Sequence, residues 1–105
     1  MKLNVVERVL LGGMMVSYKG NFVNLKLVRE GREALSFNEE ENRDLKFTAN
    51  GNQMNWDPEA SLKYQDVEIN LGDNVSSIIK KMLIDLNEKE ELTEQHFSLY
   101  EKFIT

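Results

Sequence analysis

One hundred and five residues make a single domain with a modest core, and 41% hydrophobic against 30% charged residues fits a globular chain, not a disordered one. The absence of cysteine removes disulfides and thiolate metal sites. The net charge of −5 is uneven, with eight Lys/Arg against seven Asp/Glu in residues 1–52 and five against eleven in residues 53–105, which disfavours general affinity for a phosphate backbone.

The N-terminus, MKLNVVERVLLGGMMV, is not read as a signal peptide, because Glu7 and Arg8 fall where an unbroken apolar run is needed. Val9 to Tyr18 is uncharged but too short to span a bilayer, so the default setting is cytoplasmic, with no membrane partner. A helix is predicted from Asn4 to about Val16, since Asn4 with Glu7 three residues later forms a capping-box pattern. Val6, Val9, Leu10 and Met14, with Val5 and Leu11 beside them, give it a broad apolar face. Gly12-Gly13 is its weak point, and either ends the helix early or lets another backbone approach.

After a turn at Lys19-Gly20-Asn21, a second helix is predicted over Asn24 to Leu35, entered through extended Phe22 and Val23. Lys26, Arg29 and Arg32 recur along it and are candidates to meet an anion or an acidic partner. Glu30 and Glu33 each lie four residues after one of these cations, so a ladder of weak ion pairs is the plainer account. Ser36 and Asn38 each sit three residues before a glutamate, and Glu39, Glu40 and Glu41 load a first turn, so a short third helix is predicted from about Asn38 to Asp44.

Leu45 to Asp57, LKFTANGNQMNWD, carries the clearest hairpin signal, Asn50-Gly51 between alternating runs. A two-residue turn there sets Ala49 opposite Asn52, Thr48 opposite Gln53, Phe47 opposite Met54 and Leu45 opposite Trp56. The apolar face of that ribbon is expected to lie on helices, with Trp56 packed against the long fourth helix or serving as an interface anchor. Pro58 to Gln65 reads as a polar connection, and Asp66 to Leu71 as a third strand or a return of the second. Gly72-Asp73-Asn74 then caps the fourth helix, whose stripe is Val75, Ile78, Ile79, Met82, Leu83 and Leu86. Thr93 caps a last helix with Phe97, Tyr100, Phe103 and Ile104. Their apolar surface makes a two-fold homodimer the natural remedy.

No catalytic, metal or nucleotide-binding pattern is present in the sequence, and no cofactor is expected. His96, the single histidine, reads as structural because no nucleophile or carboxylate is arranged near it in the sequence. Three helices and a hairpin follow the order of a winged helix, which makes a DNA-binding regulator the rival function. Against it, the third helix presents carboxylates where a reading helix needs cations or amides.

The segments MKLNVVERVLL, LKLVREGREALSFNEEENRDL and LTEQHFSLYEKF resemble those of small uncharacterised proteins of bacteria and their phages or prophages. The chain departs from that pattern at GGMMVSYKG, after the first helix. The resemblance implies a bacterial or phage cytosolic setting and brings no activity with it. The expected fold is therefore α+β, mainly helical, with a small antiparallel sheet and a winged-helix-like order. The expected role is a non-enzymatic accessory that binds another protein or regulates it. Lys26, Arg29, Arg32, Glu39, Glu40 and Trp56 are the candidate partner-binding residues.

Overall fold

Asparagine side chains start the first three helices. In the computed structural model, which describes residues 1–51 and 53–105, Asn4, Asn21 and Asn38 have extended backbones. Each accepts from the N–H three residues on, Glu7 at 2.8 Å, Asn24 at 2.9 Å and Glu41 at 2.8 Å. These bonds satisfy donors that the first turn of a helix leaves without partners. They fix the starts of α1 (Val5–Val16), α2 (Phe22–Leu35) and α3 (Glu39–Leu45). Glu7 and Glu41 accept in return from the cap N–H groups at 2.9 and 3.0 Å, completing two capping boxes. The second helix begins earlier than the sequence predicts, because Asn21 is its cap and takes Phe22 and Val23 into the helix.

Gly12 and Gly13 do not end α1. A Cβ added at either would meet nothing within 4 Å, so neither admits a second backbone. The close approach is at Gly31 and is made by side chains: its Cβ would lie 2.8 Å from Val75 Cγ1 and 3.0 Å from Met15 Cε.

The hairpin forms, but in a different register. Strands β2 (Thr48–Asn50) and β3 (Gln53–Asn55) pair Asn50 with Gln53, Ala49 with Met54 and Thr48 with Asn55. The pairing is therefore shifted from the predicted register, with Gly51 at φ 65°. The predicted partner of Ala49, Asn52, lies outside the described residues. Continued one pair past the ladder, this register sets Phe47 across from Trp56, ring centroids 6.0 Å apart and edge-on. Phe47 also meets Phe37 at 4.7 Å, so an aromatic cluster reaching back to the end of α2 decides the register. Both strands are exposed throughout, and Met54 keeps 50% of its surface in water. The ribbon does not lay an apolar face on the helices, and Leu45 is buried as the last residue of α3. Trp56 is half-buried beside Phe47 and stands apart from the main hydrophobic core.

Pro58 to Gln65 is helical rather than a plain connection. Asp57 accepts from the Glu59 and Ala60 N–H groups at 2.9 and 3.4 Å, and Pro58 opens α4 (Pro58–Ser61), where its missing donor costs nothing. A 3₁₀ turn, Leu62–Tyr64, follows, and its Tyr64 hydroxyl donates to Asp44 Oδ2 at 2.6 Å. Strand β4 (Val67–Glu68) is shorter than the predicted strand and pairs antiparallel with β1 (Lys2–Leu3), not with the hairpin. The last elements are α5 (Gly72–Glu88), a 3₁₀ turn Glu94–His96 and α6 (Phe97–Phe103).

This is a mainly helical α+β fold with two small antiparallel sheets among the described residues. Leu3, Leu11, Val28, Ile79, Leu83 and Leu99 lie at the centre of its core. No helix among the described residues is long and apolar enough to cross a membrane. On the last helix Phe103 is buried and Tyr100 and Ile104 are partly covered, so of the apolar residues predicted to need a dimer only Phe97, 61% exposed, faces water.

Candidate functional site

Two apolar stripes are wider than the core needs. On α1, Leu11 and Met15 are buried, whereas Val9, Leu10 and Met14, one step round the helix, are only half-covered. On α5, Ile79 and Leu83 are buried, while Met82 and Leu86 are half-covered and Ile84 is 40% exposed. These surplus side chains face one another across an open groove of about 1070 Å³. Both helices pack on α2, yet α2 contributes no residue to the groove wall. Gly13 leaves a flat place in the α1 wall, since nothing lies within 4 Å of where its Cβ would be. Lys19, Lys81 and Lys89 stand on the rim with Asp85 and Glu88. The Lys89 ammonium is 3.0 Å from Asp85, which raises its pKa, chiefly through that hydrogen bond.

His96 also lines the groove. Its Nδ1 lies 2.9 Å from the Thr93 backbone N and 3.0 Å from the Thr93 hydroxyl. A backbone N–H can only donate, so Nδ1 is the acceptor and the ring proton resides on Nε2. The hydroxyl donates too. Burial pushes the His96 pKa below its ordinary value, which holds the ring neutral. His96 thus lines the groove as a ring with Nδ1 fixed as an acceptor and its N–H on the other nitrogen. Ser17 also lines the groove, but no hydrogen bond joins it to His96 among the described residues, and no nucleophile–base pair is formed.

Two ion pairs with buried carboxylates tie α1 to α3 and to α6. The Arg8 guanidinium forks onto Glu41 at 2.5 and 3.3 Å and donates to the Leu35 and Ser36 carbonyls at 3.2 and 2.7 Å. It also lies 3.9 Å over the Phe37 ring, so one side chain of α1 fastens the end of α2 to the start of α3. Glu41 is kept below the ordinary carboxylate pKa: desolvation opposes this most, and the Arg8 and Asn38 hydrogen bonds outweigh it. Glu7 is likewise lowered against desolvation, by Lys102 at 2.7 Å, then by the Asn4 N–H and more weakly by the Ser98 hydroxyl. Ser98 stays outside hydrogen-bond geometry, leaving Glu7 Oε2 buried without a partner.

The predicted partner-binding residues do not converge on the groove. Lys26, Arg29 and Arg32 are exposed along α2, and the ion-pair ladder with Glu30 and Glu33 does not form among the described residues. Glu39 and Glu40 are exposed on the first turn of α3, and Trp56 lies half-buried in an adjoining pocket that shares Val9 and Leu10 with the groove. Sequence reasoning missed the groove. Its signal was present as an apolar α1 face too broad for one contact and as Met82 and Leu86 continuing the α5 stripe. No group of three or more His, Asp or Glu side chains among the described residues is placed to hold a metal ion. No family model matches the chain, and neither a curated protein nor a solved structure gives a significant match.

Proposed function

We propose that this chain is a non-enzymatic protein-binding module that works through the groove between α1 and α5. The observation that carries the reading is the groove's apolar wall, built from Val9, Leu10, Met14, Met82 and Leu86 and left uncovered by the chain's own elements. An apolar concavity with few convergent polar groups is the usual form of a recognition site. Its methionines adapt to a partner's shape at little cost. The resemblance of three segments to bacterial and phage proteins is the sole support for placing this activity in a bacterial cytoplasm.

A photo-crosslinking residue at Ser17, on the groove wall, tests the reading in bacterial cells that carry the gene. It is expected to trap a discrete protein adduct that Gly13→Leu abolishes and that the same probe at Asn50 on the hairpin does not give. Equal trapping from both positions, or substrate turnover by the purified chain, would overturn it. The element order α1–α2–α3–β2–β3 favours a second reading, a winged-helix DNA regulator, and the exposed Glu39 and Glu40 oppose it. That reading expects duplex binding in a gel shift, weakened by added salt and by charge reversal at Lys26, Arg29 and Arg32.

A further inference from the structure

The lining residues recur with the same spacing on both walls. On α1 they are Val9, Leu10, Gly13, Met14 and Ser17, and on the α5 side Lys81, Met82, Asp85, Leu86 and the C-cap Lys89, with Ile84 and Glu88 beside them. Each set runs i, i+1, i+4, i+5, i+8, the strip a helix offers to a neighbour lying alongside it. Eight steps at a rise of about 1.5 Å make each wall about 12 Å long, two turns of helix. The volume, about 1070 Å³, stands at the upper limit of small-ligand pockets, which run to about 1,000 Å³.

The polar groups bordering this strip have a common character. Asp85 is satisfied by Lys89, so Lys19 and Lys81 remain without an ion pair among the described residues, against Glu88 alone. The His96 Nε2–H adds a neutral donor. A chain of net charge −5 therefore shows, around this apolar concavity, a surplus of cations and donors. The exposed apolar turn at the head of α2, Phe22 and Val23, is followed by Lys26 and Arg29, so that face of a second copy would bring cations to a cationic rim.

We infer that the groove seats a two-turn amphipathic helix of a partner protein whose apolar stripe is flanked by carboxylates. The partner's leucine-like side chains enter between Met14 and Met82, its acidic flank meets Lys19 and Lys81, and one acceptor takes the His96 proton in a hydrogen bond. This inference rests on the groove being the binding site and adds the nature of what it binds.

Fluorescence anisotropy with a labelled synthetic helix of about 15 residues, bearing Leu at i, i+3 and i+7 and Glu on both flanks, tests it. The same helix with Lys for each Glu is the comparison. The Glu helix is expected to bind at least about tenfold tighter than the Lys helix, and Lys81→Glu to erase or invert that preference. Gly13→Leu is expected to abolish binding while the chain keeps its helical circular dichroism and a melting temperature no lower than the parent's. Equal or tighter binding of the Lys helix overturns the inference, as does displacement of the Glu helix by dodecanoate alone with no charge preference. A dimer in sedimentation that Gly13→Leu dissolves also overturns it, by assigning the seat to a second copy. If the Ser17 probe traps a protein but the Glu helix fails to bind, the groove reading stands and the acidic helix falls.

Discussion

At the scale of single residues, His96 stands where a capping box normally carries glutamine or glutamate. Thr93 and His96 exchange the same reciprocal bonds, with Nδ1 taking the place of a carboxamide oxygen. The imidazole can do this only while neutral, because a proton on Nδ1 would face the Thr93 N–H donor to donor. Burial lowers the folded pKa from 6.5, so the unfolded chain binds the proton more readily. The resulting stability is complete above pH 6.5 and is lost as the pH falls from there towards the folded value. His96→Gln keeps the cap and removes the titration. Urea melts between pH 7 and 5 are expected to show a smaller loss of stability in the variant than in the parent. Arg8 gives a larger effect at the same scale. Arg8→Met leaves Glu41 buried and unpaired and two carbonyls without donors, a loss of about 3–5 kcal/mol in chemical denaturation. Arg8→Lys is expected to recover only part, since an ammonium cannot fork.

Among the elements, the glycines of α1 and α2 make opposite predictions for one substitution. Gly12→Ala meets open space, so helix propensity alone acts, and a gain of about 1 kcal/mol is expected, a melting temperature higher by about 4–8 °C. Gly31→Ala drives a methyl to 2.8 Å from a β-branched valine, and overpacking of about 1–3 kcal/mol exceeds the same propensity gain, so the melt should shift down. Thermal melts of the two variants side by side check both signs. These elements also show what a sequence can reveal. The boxes at Asn4–Glu7 and Asn38–Glu41 are complete within four residues, and both helix starts were legible from them. Asn50-Gly51 marked a hairpin correctly, but its register was decided by Phe37, Phe47 and Trp56, brought together only by tertiary packing. The β1–β4 pair joins two-residue strands some sixty positions apart, too short for any periodicity to register. The groove was hidden for a related reason: each wall reads as an ordinary core stripe, and only the spacing of α1 and α5 in space leaves the two half-covered.

Taken as a whole, the molecule is closed by a buried carboxylate that binds its first helix to its last. Lys102, on α6, reaches Glu7 at 2.7 Å and the Lys2 carbonyl at 2.9 Å, beside the β1–β4 pair. Glu7 is 1% exposed and one of its oxygens has no partner, so Lys102 is its principal compensation. Removing that lysine strands a charge in the interior. The Lys102 side chain is itself 35% exposed, which places the cost at the lower end of the range for a broken buried pair, about 3 kcal/mol. Against a typical total of about 5–15 kcal/mol that is a large fraction. Lys102→Met should therefore lower the urea midpoint sharply, and adding Glu7→Gln should restore part of it, because a neutral amide still accepts from the Asn4 N–H. The pH dependence separates this account from mere loss of packing. Glu7 has its folded pKa depressed, so its stability is complete above the ordinary value of 4.5 and is lost as pH falls through the lower folded value. Without Lys102, desolvation is left less opposed and the folded pKa rises. The variant should then lose less stability than the parent on going from pH 6 to pH 3, and the two curves should converge in acid. Parallel curves would mean that Lys102 acts through its methylenes and not through its charge.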